Sequence, residues 1–195
     1  LGKRKRMCRD ANDQVHILNL RKSGLSLLTG CKGDAKPTAG IEDVAVPPEK
    51  LPEYVAGLQS LMKPLGLKGS FYGHAASGLL HVRPVVDMHK AEDIKKFRSL
   101  AEGVSALTLQ FKGALAAEHG VGIARTEFMD EHIGPELLDV MRRIKAHFDP
   151  KSLMNPGKVF PDGRYKIDTN LRQGDGSKMD KLPFEPVLKF AAKDG

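Results

Sequence analysis

The chain has 195 residues, 41% hydrophobic and 28% charged, which is the composition of an ordinary globular domain with room for a sizeable core. Its net charge of +7 raises a nucleic-acid reading, but residues 1–36 hold nine Lys/Arg against three acids, a net +6 that leaves +1 for everything else. A near-neutral body with few aromatics argues against nucleic-acid binding, and no apolar run approaches the roughly 20 residues of a membrane span.

The first 14 residues read as a basic leader with no secretory pattern, and Cys8 and Cys31 stand outside any zinc-ribbon spacing. Both are expected to be reduced thiols of a cytoplasmic protein. From His16 to Leu28 the apolar residues follow a helical period broken only by Gly24. After a loop rich in Gly and Pro, Ile41 to Pro47 predicts a strand. Pro47-Pro48-Glu49 then opens a helix running to about Leu65. Lys68–His74 and Leu79–Val86 predict two strands around a small-residue turn at Ala75–Gly78. A helix over about Ala91–Phe111 follows, then a fourth strand at Gly113–Glu118. The order is β-α-β-β-α-β, so the expected fold is α+β, a ferredoxin-like antiparallel sheet with its helices on one face. Pro135–Phe148 predicts a further amphipathic helix stopped by Asp149-Pro150, and residues 161–195 an extended tail.

Three places concentrate chemistry. His74 and His81 flank the hairpin turn in GHAASGLLH, which can bring two imidazoles to one point, as a divalent metal requires. The same pair also reads as two strand histidines bonded to neighbours. Glu118-His119 lies where the fourth strand should end, offering a carboxylate ligand beside an imidazole suited to accept a proton near neutrality. A surface Glu beside a capping His reads equally well from that pair alone. Leu153–Lys158, LMNPGK, is by itself a turn sequence.

In this order, GHAASGLLH, EHGVG and FDPKSLMNPGK resemble the C-terminal domain of FAD-linked oxidases, a family that includes D-lactate dehydrogenase, the FAD subunit of glycolate oxidase and D-2-hydroxyglutarate dehydrogenase. NLRKSGLSLL and DVAVP resemble the family's Arg-containing helix and following strand, and the likeness covers roughly residues 15–160. It implies that His74, His81 and Glu118 are ligands of a divalent metal such as Zn, Mn or Fe, and that His119 takes the hydroxyl proton. Arg21 would hold the substrate carboxylate, Lys36 would fill the family's lysine position if its loop is rearranged, and Asn155 would lie against the flavin. The implied function is that of the C-terminal fragment of an FAD-dependent oxidoreductase oxidising a 2-hydroxy acid by hydride transfer, inactive alone.

The expected partners are the hydroxy acid and the FAD-binding domain of the same protein, which would hold the flavin. An iron–sulfur domain further downstream is suggested by IDTNLRQGDG and the tail after it. The sequence departs from the family pattern at Ala76, Ser77 and Leu79, which replace Gly, Asp and Asn and mark a divergent branch. The alternative is a non-catalytic ferredoxin-like binding or regulatory module, which leaves the three motifs as coincidence.

Overall fold

A computed structural model describes residues 7–30, 32–169 and 171. Cys31, most of the 161–195 tail and most of the IDTNLRQGDG segment lie outside the described residues. Helix α1 spans Ala11–Thr29, starting inside the basic leader. Its first turn is fixed by Asp10, whose carboxylate accepts from the N–H groups of Asn12 and Asp13, the usual satisfaction of orphan donors at a helix start.

Four short strands follow: β1 at Lys36–Pro37, β2 at Val44–Ala45, β3 at Gly69–His74 and β4 at Leu79–Val86. Strand β4 is central. It pairs antiparallel with β3 along one edge, while β2 and β1 share its other edge at opposite ends. Helices α2 (Leu51–Met62) and α3 (Ala91–Gln110) follow β2 and β4 in the chain. Between them and one sheet face sits the core, built from Tyr54, Leu58 and Met62 of α2, Phe97, Leu100 and Val104 of α3, and Leu80, Val82 and Val86 of β4. The buried Tyr54 hydroxyl meets Thr108 Oγ1 at 2.9 Å. Thr108 spends its own proton on the Val104 carbonyl, so the phenol donates, and burial pushes its pKa up to about 12. Among the described residues no helix is long and apolar enough to cross a membrane.

Two expectations need correction. The strand expected over residues 41–47 is reduced to Val44–Ala45, and β1, which the sequence did not suggest, pairs Lys36 with Val86. The fourth strand, expected at Gly113–Glu118, contracts to a single bridge between Ala45 and Ala114. Beyond that bridge the pairing narrows to Asp43, whose carbonyl takes the Ala117 N–H at 3.0 Å. The Asp43 carboxylate also accepts the backbone N–H groups of Ala117, Glu118 and His119. The chain then enters two five-residue helices, α4 (Gly122–Thr126) and α5 (Met129–Ile133), before α6 (Pro135–Phe148). The last has the bounds its periodicity predicts.

Candidate metal and catalytic site

Side chains alternate across a strand, and paired residues of antiparallel strands share a face. Tyr72 pairs with His81, Ser70 with Arg83, and His74 with Leu79. Tyr72, His74, His81 and Arg83 therefore stand together on the sheet face opposite the helices. The turn is tight enough to require glycine. Gly78 has φ +71°, and a Cβ there would fall 1.8 Å from the Val46 carbonyl oxygen. A Cβ at Gly73 would sit 2.1 Å from the Leu79 carbonyl oxygen.

Residues 117–119 are carried over this face by two buried charges. Asp43, fully buried and in the left-handed region at φ 74°, fixes the backbone of Glu118 and His119 through the three bonds already described. Arg125, also buried, donates to the carbonyls of Glu42 (2.6 Å) and Gly120 (3.1 Å), tying both loops together. As a result one Glu118 oxygen lies 3.6 Å from His74 Nε2, the other lies 3.6 Å from His81 Nε2, and His119 Nε2 is 4.0 Å from the latter. The rings of His81 and His119 stack 5.1 Å apart and within 7° of parallel.

Among the described residues two groups of three could hold a metal ion, His74/His81/Glu118 and Asp43/His81/His119, each with ligand atoms within 4.8 Å of one another. Asp43 already accepts three backbone N–H groups in a fully buried position, so its lone pairs are committed. The first group is open: Glu118 and His74 are both exposed, while His81 is buried. Tetrahedral ligands about 2.1 Å from a metal lie roughly 3.4 Å apart, so ligand atoms within 4.8 Å of one another close on an ion by side-chain adjustment. Ligation also requires a neutral imidazole, and burial lowers the pKa of His81 from 6.5, against the opposing pull of Glu42 and Glu118. The residues fit a divalent ion.

The lowered pKa has a consequence for stability. A histidine held neutral in the fold binds fewer protons than in the unfolded chain, so its contribution is intact above 6.5 and is lost as pH falls below it. His132, lowered by burial against the opposing pull of Glu131 and Ser105, acts in the same direction. The urea midpoint of the metal-free chain should therefore drop between roughly pH 7 and pH 5, with a shallower drop in His81→Gln.

The remaining sequence-predicted residues are placed unequally. Arg21, on α1, sits 6.0 Å over the ring of Tyr72, which in turn tilts against His81 at 4.9 Å. It lines a cleft of about 420 Å³ with Lys22, Ser70 and Tyr72. Lys36 pairs with Val86, five residues along β4 from His81, so its backbone is roughly 17 Å from the cluster at strand rise. Asn155 lines a different cleft, of about 320 Å³, and its side-chain oxygen accepts from Lys158 Nζ. The turn that carries it is organised by Asp149, which accepts from the N–H groups of Leu153 and Met154. The Lys145 ammonium, then those backbone bonds, hold the Asp149 carboxyl down at about 2.

Sequence reasoning missed Glu42, Tyr72, Arg83 and Arg125 as parts of this site. Period-two spacing around the hairpin was a sufficient signal for Tyr72 and Arg83. No local pattern marks Glu42 or Arg125.

Residues 1–159 match the family described as FAD linked oxidases, C-terminal domain. The chain is 39% identical over 155 residues to D-2-hydroxyglutarate dehydrogenase of Escherichia coli, covering 80% of this chain and 15% of that protein. It is 30% identical over 166 residues to the mitochondrial D-lactate dehydrogenase [cytochrome] of Kluyveromyces lactis, covering 84% and 27%. Glycolate oxidase subunit GlcD of Bacillus subtilis is 28% identical over 152 residues, covering 77% and 32%. The chain thus spans between about one-seventh and one-third of the length of these curated relatives. With the family match extending over most of its length, this chain belongs to the FAD-linked oxidases and carries their C-terminal domain.

Proposed function

We propose that the chain is the C-terminal part of an FAD-dependent oxidoreductase that oxidises a 2-hydroxy acid to the 2-oxo acid. The observation that carries this reading is the convergence of His74, His81 and Glu118 beside His119 on one sheet face. Oxidation removes a hydride from the carbinol carbon and a proton from its oxygen. Bound groups supply polarisation of the hydroxyl by a divalent ion, Zn, Mn or Fe, held by His74, His81 and Glu118, and hydride acceptance by flavin.

The chain's own residues do the rest. His119 takes the hydroxyl proton on a ring nitrogen. Arg21, lining the cleft beside Tyr72, binds the substrate carboxylate as a charge-assisted pair. Asn155 lies against the flavin, and Lys36 assists at the carboxylate once its loop moves. Ala114 adjoins β2, and the sheet continues through β4 to β3, so the plan reads as ferredoxin-like with its fourth strand worn down to one bridge.

The flavin would be bound by another domain of the same protein. Leu137, Val140, Ile144 and Phe148 form one apolar stripe of α6, and all four are exposed. Such a stripe on a helix that buries only Leu138 suits packing against further chain.

Titration of the chelator-stripped chain with Zn²⁺ and Mn²⁺ in a calorimeter tests the site. One equivalent is expected to bind, with at least about tenfold weaker affinity in His81→Ala. If no ion binds the chain, and the intact enzyme reduces no flavin with 2-hydroxy acids, the reading is overturned.

A further inference from the structure

Glu42 has no assigned role, yet it is a buried carboxylate beside the reacting groups. Its side chain is 6% exposed. Arg83 grips it from one side, with Nε 3.1 Å from Oε2 and a terminal nitrogen 3.3 Å from Oε1. Arg83 is itself held by its Nε–H donating to the Tyr72 hydroxyl at 2.9 Å. The oxygen that accepts from Arg83, Oε1, also faces His119, whose Nδ1 lies 3.7 Å away. The parallel stack on His81 restrains the plane of the His119 ring, and the Asp43 bond restrains its backbone.

We infer that Glu42 is a positioning residue that holds His119 as the Nδ1–H tautomer, leaving Nε2 unprotonated on the side of His74, His81 and Glu118. This rests on the reading of His119 as the base. An ionised carboxylate only accepts hydrogen bonds, so attraction to Nδ1 requires the proton to be there. Glu118 competes for the same proton at the other nitrogen, with Oε2 4.0 Å from Nε2. Two differences favour Glu42. Glu118 is 43% exposed and screened by water, whereas Glu42 acts from a low-dielectric position. Glu118 is also shared with His74 and His81. A base that must accept a proton at a defined atom gains from this arrangement, because the wrong tautomer presents a donor where an acceptor is needed.

Nitrogen-15 NMR of ring-labelled, metal-free chain, at a pH where imidazoles are neutral, reads the tautomer directly. The expected spectrum shows a protonated-type resonance for His119 Nδ1 and an unprotonated-type resonance for Nε2. In Glu42→Gln the amide can present its NH₂ group to Nδ1, so the Nε2–H form should rise until it is comparable or dominant. A wild-type His119 carrying its proton on Nε2 overturns the inference without any variant. A folded Glu42→Gln chain with an unchanged tautomer also overturns it. The proposed function fails separately. If His119→Ala keeps full turnover while the tautomer follows Glu42, the pair exists but His119 is not the base.

Discussion

Replacing His119 with alanine in the intact enzyme is expected to lower turnover of a 2-hydroxy acid by roughly 10²–10⁴-fold, the loss typical of removing a general base. The fold should be unaffected. The imidazole is 45% exposed, and the bond that positions this residue runs from its backbone N–H to Asp43, which alanine preserves. Because the proton is transferred in the transition state, kcat and kcat/KM should fall together while KM changes little. Steady-state kinetics at saturating hydroxy acid, with thermal unfolding as the control, check this. Near-normal turnover would assign the proton to another group.

The largest stability effect is expected at Asp43. Asp43→Ala removes three hydrogen bonds to an ionised carboxylate. It also places a β-carbon residue without a compensating side-chain bond at φ 74°, and removes one of the two negative charges near buried Arg125. Breaking a buried charge arrangement of this kind costs about 3–5 kcal/mol, against a total stability of about 5–15 kcal/mol for a typical domain. The alanine variant should lose most of its resistance to urea. Asp43→Asn keeps one acceptor oxygen and tolerates the left-handed backbone, so its cost should be nearer 2 kcal/mol. Urea midpoints of the two variants decide the matter. Equal midpoints for Asp43→Ala and the parent chain would mean that the 117–119 segment is held by something else.

The same aspartate shows where sequence reading stops. Its bonds to residues 117–119 span 74 to 76 positions, and no periodicity reports a contact at that distance. Gly113–Glu118 looks like a strand because its apolar and small residues are compatible with one. Whether it pairs with a strand depends on who takes its N–H groups, and at its end a buried carboxylate takes those of Ala117 and Glu118. Glu42 is hidden for a related reason: nothing in IEDVAVP shows that Arg83 and His119 enclose its side chain. The pairing of Lys36 with Val86 is likewise invisible in the sequence around it.

What the sequence determined by itself is what depends on near neighbours. The helices at 51–62, 91–110 and 135–148, the hairpin of β3 and β4, and the order of the GHAASGLLH, EHGVG and LMNPGK motifs were legible because helical period, strand alternation and turn chemistry act over a few residues. His74 and His81 come together through the hairpin's own register. The tertiary structure alone decided that Glu118 and His119 reach that hairpin. Their placement depends on Asp43, Glu42 and Arg125, whose burial creates the requirement for partners and whose partners are chosen by packing across the whole domain.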